Sequence, residues 1–570
     1  QYVTLIKSAT GDNLMSLTGA YFNDLPRYLM NATFPVETYK SRFFSSGDYS
    51  ENSYYGGRSP YGLGGSRQTV REFLLMLAEN LSDSGLASNI RYFVDDPQYD
   101  ISAGYQSDYM IDVLWHNPSA GKQASNSLFY FAKGAGEVFM RAGWNLGDTW
   151  IGYKAGDHFS YHQHADQNSF QISKYGQLAV KSGNYYCAPR DLCMLQYGIR
   201  TVAANSLLVY DPNETFTRIR ANDTYTNDGG QRGSNIATPE PFDLAAWTSN
   251  QNYYDTADIT KTENTDNYSM VVSDAKNAYS SSKLSKFDRY LSYLRPDSGG
   301  SDFVVVFDRV NSTDANFKKR WLLHTLNTPT ITKNDGNAAN NTTSLYWDAT
   351  KQTVNNIVST DGDIVRADDL SGRIFSKTLL PISHTITKVG GTGYEHYSNG
   401  VNYYPGSNSK VLWGEWRVEV EPATAQTEDL FLHVIYPATT GAASMPNTSL
   451  ITSSDSLMYG AFIEEPTKPR VIMFSKDGSL RSSVTYTVAY SASLAGKHLI
   501  ADMASGNYDI FKNGTKILSS IAASAGGNVY FEAVGGSVFN VSPASQVQQD
   551  TTPPSISNPS ASVTASSATI

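Results

Sequence analysis

From Glu137 to about residue 540 the chain is a succession of short apolar runs separated by Gly, Asn and Ser. That alternation limits the fold more than anything else in the sequence. The runs at 137–141, 149–153, 206–210, 269–272, 303–307, 320–324, 417–421, 430–435, 471–474 and 484–490 are rich in β-branched and aromatic residues. Such runs suit strands, and no long helical pattern interrupts them. Residues 171–173 and 178–180 flank Lys174-Tyr175-Gly176, which predicts a hairpin closed by a glycine turn. A chain of this kind must stack antiparallel sheets, so the reading is a large multi-sheet β-sandwich.

The first 133 residues have a different period. Residues 2–6 resemble the end of an amphipathic helix closing at Gly11. Residues 14–30 carry Leu14, Leu17, Tyr21, Phe22, Leu25, Tyr28 and Leu29 at helical spacing, with a break expected at Pro26. Residues 41–66, rich in Ser, Gly and Tyr, read as a loop. The clearest helix is 67–80, where Val70, Phe73, Leu74, Leu77 and Leu81 share one face. Residues 109–115 form a shorter candidate, and 127–131 close the helical part. At the other end, 541–549 is a polar linker. Asp550-Thr551-Thr552-Pro553-Pro554-Ser555-Ile556 and the Ser/Val/Thr alternation after it look like the first strand of a fibronectin-type or Ig-like module; a disordered tail is the alternative.

Composition narrows the function. The net charge is −10 over 570 residues, so a nucleic-acid partner is not expected, and any polyanion must meet a local basic patch. Charged residues make up 17%, below the usual level of about 25%. The 38 tyrosines suit strands and also suit stacking on sugar rings. No apolar run is long enough to cross a membrane, and no signal peptide stands at Gln1. The chain opens without Met in what reads as the middle of a helix, which suggests a fragment or a processed form. Cys187 and Cys193 are the two cysteines; they close a small loop disulfide or remain free thiols.

One stretch carries chemistry: Tyr161-His162-Gln163-His164-Ala165-Asp166-Gln167-Asn168-Ser169-Phe170, with two of the nine histidines. As a strand it would place His162, His164 and Asp166 on one face. Such a face is either a catalytic or metal-binding edge, or a solvated face or polar core network.

Helices followed by a large antiparallel β region, with HxHxD near its first strands, resemble the heparinase II/III-like polysaccharide lyases. The likeness extends through Gly156-Asp157-His158, Ser182-Gly183-Asn184-Tyr185, Arg200-Thr201, Asn205-Ser206-Leu207-Leu208-Val209-Tyr210-Asp211-Pro212 and Asn227-Asp228-Gly229-Gly230-Gln231-Arg232. It continues in Trp321-Leu322-Leu323-His324 and Trp416-Arg417-Val418-Glu419-Val420, and spans roughly residues 12–440. The resemblance implies an α+β multidomain fold: the C-terminal part of an (α/α) toroid at 1–133, an antiparallel β-sandwich lyase domain at 134–540, and a linker with the start of a module at 541–570. It implies β-elimination on a uronic-acid-containing acidic polysaccharide, in a secreted or periplasmic bacterial enzyme.

By that similarity His162 is the catalytic histidine, and the family's catalytic Tyr and His/Asn residues fall upstream of Gln1. His158 lines the same cleft or is a core or loop histidine. Arg200 and Arg232 bind a substrate carboxylate or sulfate, or form structural salt bridges. Family members hold a metal with the second His of HxHxD, an Asp and a further His. The matching positions here are Lys181 and Ala204, which supply no ligand, so no metal and no cofactor is expected. Lys181 would instead supply the positive charge. His324 and His433 sit in apolar strands and read as core histidines. A catalytically impaired glycan-binding protein of the same fold and a glycoside hydrolase are the competing readings.

Overall fold

The computed structural model describes residue 10 and residues 20–37, 40–46, 67–99, 114–159, 163–183, 192–216, 225–232, 243–342, 356–404 and 414–544. Of the expected loop at 41–66, residues 41–43 belong to a strand instead, and 47–66 lie outside these residues, as do most of the 109–115 candidate and the appended module beyond 544.

In the N-terminal part, helix α1 (Tyr21–Ala32) leads into a two-stranded ribbon, Thr33–Val36 with Lys40–Phe43. Helices α2 (Arg67–Asn80) and α3 (Ser84–Asp95) pack together. Pro26 does not break α1, contrary to expectation. It removes one backbone bond, that to the Phe22 carbonyl, while buried Leu29, Met30 and Ala32 anchor the turns beyond it. The α1 C-terminus is held from outside: Arg141 donates to the carbonyls of Met30, Asn31 and Thr33, and Trp150 Nε1 donates to Asn31 O at 2.9 Å. Helix α3 escaped sequence reading, although Asp83 caps it through Leu86 N at 2.9 Å and Leu86, Ile90, Phe93 and Val94 form its buried face.

Strand pairing begins earlier than residue 134. Phe129–Ala132 is a strand, not the close of the helical region. It starts a five-stranded antiparallel meander with Glu137–Arg141, Trp150–Lys154, Ser169–Lys174 and Gly176–Ala179. The predicted hairpin is its last step, with Tyr175 at φ 60° supplying the left-handed turn.

An eight-stranded sheet follows. Its central strands are Tyr268–Asp274, Leu284–Leu294, Phe303–Ser312 and Glu428–Thr439, and the last of these also pairs with Gly372–Leu380. A second five-stranded sheet contains Leu207–Tyr210, Lys318–Thr325, Trp416–Pro422, His384–Gly390 and Ile357–Thr360. After residue 440 come a five-stranded sheet and a four-stranded sheet, the former with one parallel pair, Arg470–Ser475 with Ala495–Ile500. Among the described residues the helices in this region are short, such as Leu244–Ser249 and Gln251–Tyr254. The last strand, Ser537–Pro543, runs past the expected linker boundary at 541. Cys193 is disulfide-bonded, and Cys187 is the chain's other cysteine.

Period two explains the stacking. In Phe303-Val304-Val305-Val306-Phe307 every residue is buried, but to opposite sides. Val304 and Val306 join a core with Ile151, Phe170, Leu207, Trp321 and Val418, contributed by both five-stranded sheets that precede residue 440. Phe303, Val305 and Phe307 join a second core with Ile472, Phe474 and Leu499. Val471 and Met473, on the reverse of that strand, face a third core with Tyr486, Ile510 and Phe539. Each such side chain stabilises the fold by about 1.5–3 kcal/mol through burial. The eight-stranded sheet is therefore an interior layer.

One polar link crosses the first core. Arg289 and Asp308 face each other across adjacent strands and pair through two bonds, Nε to Oδ1 at 2.7 Å and Nη2 to Oδ2 at 2.6 Å. Both are fully buried. Arg289 Nη1 then donates to the carbonyls of Asn168 and Asn205. Replacing Arg289 with Met strands the Asp308 carboxylate in the core and is expected to lower unfolding free energy by about 3–5 kcal/mol. Arg289→Met with Asp308→Leu should recover most of that loss in denaturant titration. Equal losses in the single and double variants would show that the pair is not what holds this region.

Candidate functional site

The site is built on the loop that joins strand Trp150–Lys154 to strand Ser169–Lys174. The described part of the HxHxD stretch is not a strand: regular pairing starts only at Ser169, and Asn168 turns the backbone with φ 57°. The one-face arrangement expected of a strand therefore does not apply to His164 and Asp166. Both are buried, His164 at 2% and Asp166 at 1% exposure. Asp166 Oδ1 accepts from Lys154 Nζ at 2.6 Å. Burial opposes its ionisation, but Lys154 and Lys181 outweigh burial and hold the carboxyl below the usual carboxylate range.

Neighbouring segments fix the loop by hydrogen bonds rather than by apolar packing. Gln231 binds Gln167 twice, its Oε1 accepting from Gln167 N at 3.0 Å and its Nε2 donating to Gln167 O at 2.8 Å. Gln167 Oε1 accepts from Gly156 N at 2.8 Å. Thr201 Oγ1 donates to Ala165 O, and Ser206 Oγ donates to Gln167 O, each at 2.7 Å. Asn205 Nδ2 donates to Phe170 O and Val180 O, tying the loop to the hairpin. With these bonds made, the loop is held in place at both ends.

His162 lies outside the described residues. His158 stands in the loop itself, with its backbone N donating to Tyr254 O at 2.7 Å. Its Nε2 is buried and has no hydrogen-bond partner among the described residues. Burial pushes its pKa down to about 3, and the positive charges of Lys154 and Arg232 act the same way, while Asp166 opposes them. The imidazole is thus neutral at physiological pH, with an open nitrogen. Beside it Asp157 is pushed up to about 6, first by burial and then by Asp258 and Asp255, against the bond from Thr256 N.

The two arginines are engaged. Arg200 pairs with Asp228 at 2.5 Å, both side chains almost wholly buried, and its guanidinium lies between the rings of Phe216 and Tyr225. Arg232 donates to three backbone carbonyls, those of Asn277 (2.8 Å), Asn252 and Asp255 (3.2 Å). The structure brings His158, Arg232, Lys154, His164 and Asp166 within one another's electrostatic reach.

The chemistry at Lys181 and Ala204 does not fit a metal. Lys181 Nζ donates to Gly198 O at 2.7 Å, and Ala204 is buried with no donor atom. Among the described residues no three His, Cys, Asp or Glu side chains converge as a metal site. His324 is a core histidine, its ring nitrogens 3.0 Å from Asn205 Oδ1 and 2.9 Å from Val202 O. His433 stacks on Trp321 at 3.7 Å. Sequence reasoning missed Lys154 and Gln231. The signal for Lys154 was a lysine ending an otherwise apolar strand, Trp150-Ile151-Gly152-Tyr153-Lys154; Gln231 carried none, since its role depends on the loop's shape.

Residues 126–375 match the family described as Heparinase II/III-like, C-terminal. No curated protein matches the chain. Among solved structures, a heparinase III is similar at 12% identity and TM-score 0.47, with 78% of this chain and 51% of that one covered. The heparan sulfate lyase HepC from Pedobacter heparinus is similar at 14% identity and TM-score 0.41, with 71% and 48% covered. A xanthan lyase from Paenibacillus is similar at 11% identity and TM-score 0.34, with 87% and 59% covered. The chain spans about half the length of the heparinase III and HepC structures.

The state of His158 sets an acid dependence. Its folded pKa of about 3 lies below the ordinary 6.5, so between those values the unfolded chain binds the proton first. Its contribution to stability is complete above pH 6.5 and is lost as pH falls toward about 3. His158→Gln should flatten the plot of unfolding free energy against pH in that window by up to about 1.4 kcal/mol per pH unit. Parallel plots for the variant and the wild type would contradict a buried neutral His158.

Proposed function

We propose, from the match of residues 126–375 to the Heparinase II/III-like, C-terminal family, that the protein is a polysaccharide lyase that cleaves a uronic-acid-containing acidic polysaccharide by β-elimination. The family match is the observation that carries this reading. In the reaction a base takes the proton at C5 of the uronate, the C4–O4 bond breaks, an acid protonates the departing O4, and a double bond forms between C4 and C5. The substrate carboxylate must be neutralised for C5 to become acidic. His162 is the proposed catalytic histidine, by similarity. His158, neutral and with an open Nε2, is proposed to contact the sugar beside it. Arg200 and Arg232 are proposed to act by setting local positive potential, since their direct bonds go to Asp228 and to backbone carbonyls.

The helices α1–α3 are proposed to be the last part of an (α/α) toroid that completes the cleft. The bonded state of Cys193 fits an oxidising compartment and so supports secretion or a periplasmic location. No helix among the described residues is long and apolar enough to cross a membrane.

The test is incubation with alginate, heparan sulfate, chondroitin, hyaluronan and ulvan, following the ultraviolet absorbance of the unsaturated uronate. Absorbance should rise with at least one glycan, and His162→Ala should slow it by about 10²–10⁴-fold. New reducing ends without absorbance would identify a hydrolase. Binding without any cleavage would identify a glycan-binding protein.

A further inference from the structure

A cleft of about 970 Å³ opens between the segment 211–216, the short helix Gln251–Tyr254 and the turn at 276–285, with Arg232 in its wall. Its lining is mostly hydroxyl and amide side chains, among them Asn213, Asn252, Asn277 and Ser281, over a floor that includes Phe216 and Tyr279. Such a surface can exchange many hydrogen bonds with a polyol and few with an apolar ligand.

Its charges decide which polyol. Five charged residues line the cleft: Asp211, Glu214, Asp255, Arg232 and Lys276. Glu214 is spent on Lys283 at 2.5 Å, and Lys276 on Asp274 at 2.8 Å. Arg232 gives its hydrogen bonds to three carbonyls and keeps its positive charge, which faces Asp255. Asp211 and Asp255 remain, without an ion-pair partner among the described residues. Asp211 Oδ1 accepts only from Asn213 N at 2.8 Å, and Asp255 accepts from the amides of Asn277 and Gln251. The lining carries three carboxylates against two cations, so a sulfate or uronate placed here would meet a net negative wall. A sugar hydroxyl would instead donate to these carboxylates in charge-assisted bonds.

The geometry points to this cleft as a binding site for a neutral saccharide, an uncharged run of hexose or pentose units. The inference goes beyond the lyase reading and needs no catalytic step.

Affinity electrophoresis of the full chain tests it, in native gels containing galactomannan, xyloglucan or arabinoxylan, with alginate and heparan sulfate gels beside them. Retardation is expected in at least one neutral gel. Asp255→Asn and Asn213→Ala, both on the cleft rim, should each weaken it by about tenfold, the loss of a charge-assisted or direct hydrogen bond. Far-ultraviolet circular dichroism and thermal midpoints equal to wild type show that the variants are folded. Retardation by the acidic polysaccharides alone, by none of the gels, or unchanged in both variants overturns the proposal. Lyase activity is read separately on uronate absorbance, so either result can stand while the other falls.

Discussion

The buried pair of Arg289 and Asp308 is the constraint on which the rest of the site depends. Two charges with no exposure are tolerated because both bonds between them are made and the remaining guanidinium hydrogens reach Asn168 O and Asn205 O. Asn168 ends the HxHxD loop, and Asn205 begins the segment that binds the following hairpin. One side chain from an interior sheet therefore sets the position of two segments that would otherwise cross the surface of the core. The lysine–aspartate pair of Lys154 and Asp166 does the same for the middle of the loop. Charge pairing in a dry setting substitutes here for regular strand pairing.

The second theme is sheets buried on both faces. Antiparallel sheets commonly leave one face to water. Here the eight-stranded sheet lies between two cores, and a sheet contributed after residue 440 covers its far side. The layers are also bolted by polar links: Arg309 to Asp502 at 2.6 Å, Arg470 to the carbonyls of Arg295 and Ser301, and Lys497 to Asp297 at 2.6 Å. The loop network therefore rests on layers tied together by both apolar packing and ion pairs.

The N-terminal helices connect to this scaffold through aromatic and polar contacts. Phe34 stacks on Trp150 at 4.2 Å, and Tyr28 donates to Glu137 Oε2 at 2.8 Å. Glu137, raised by burial, lies near the Lys154 and Asp166 charges. The helical part and the HxHxD loop thus share one stretch of buried charge.

Local pattern by itself determined the strands, the hairpin at Tyr175, helix α2 and the predominance of sheet, because each follows from spacing of two or 3.6 residues. It also singled out His162, His164 and Asp166 as an unusual set of ionisable groups, while His158 entered through the family resemblance. It misread places where long-range contacts win, among them Pro26 inside α1, the strand Lys40–Phe43 at the start of the expected loop, the strand at Phe129–Ala132, and the HxHxD stretch as a strand. Only the tertiary structure decided that Arg200 and Arg232 spend their hydrogen bonds within the protein, that Lys154 neutralises Asp166, and that Gln231 holds the loop. The physical reason is the same in each case. A buried polar group is defined by the partner that satisfies it, and those partners stand from 12 to 64 residues away, where no local period can reveal them.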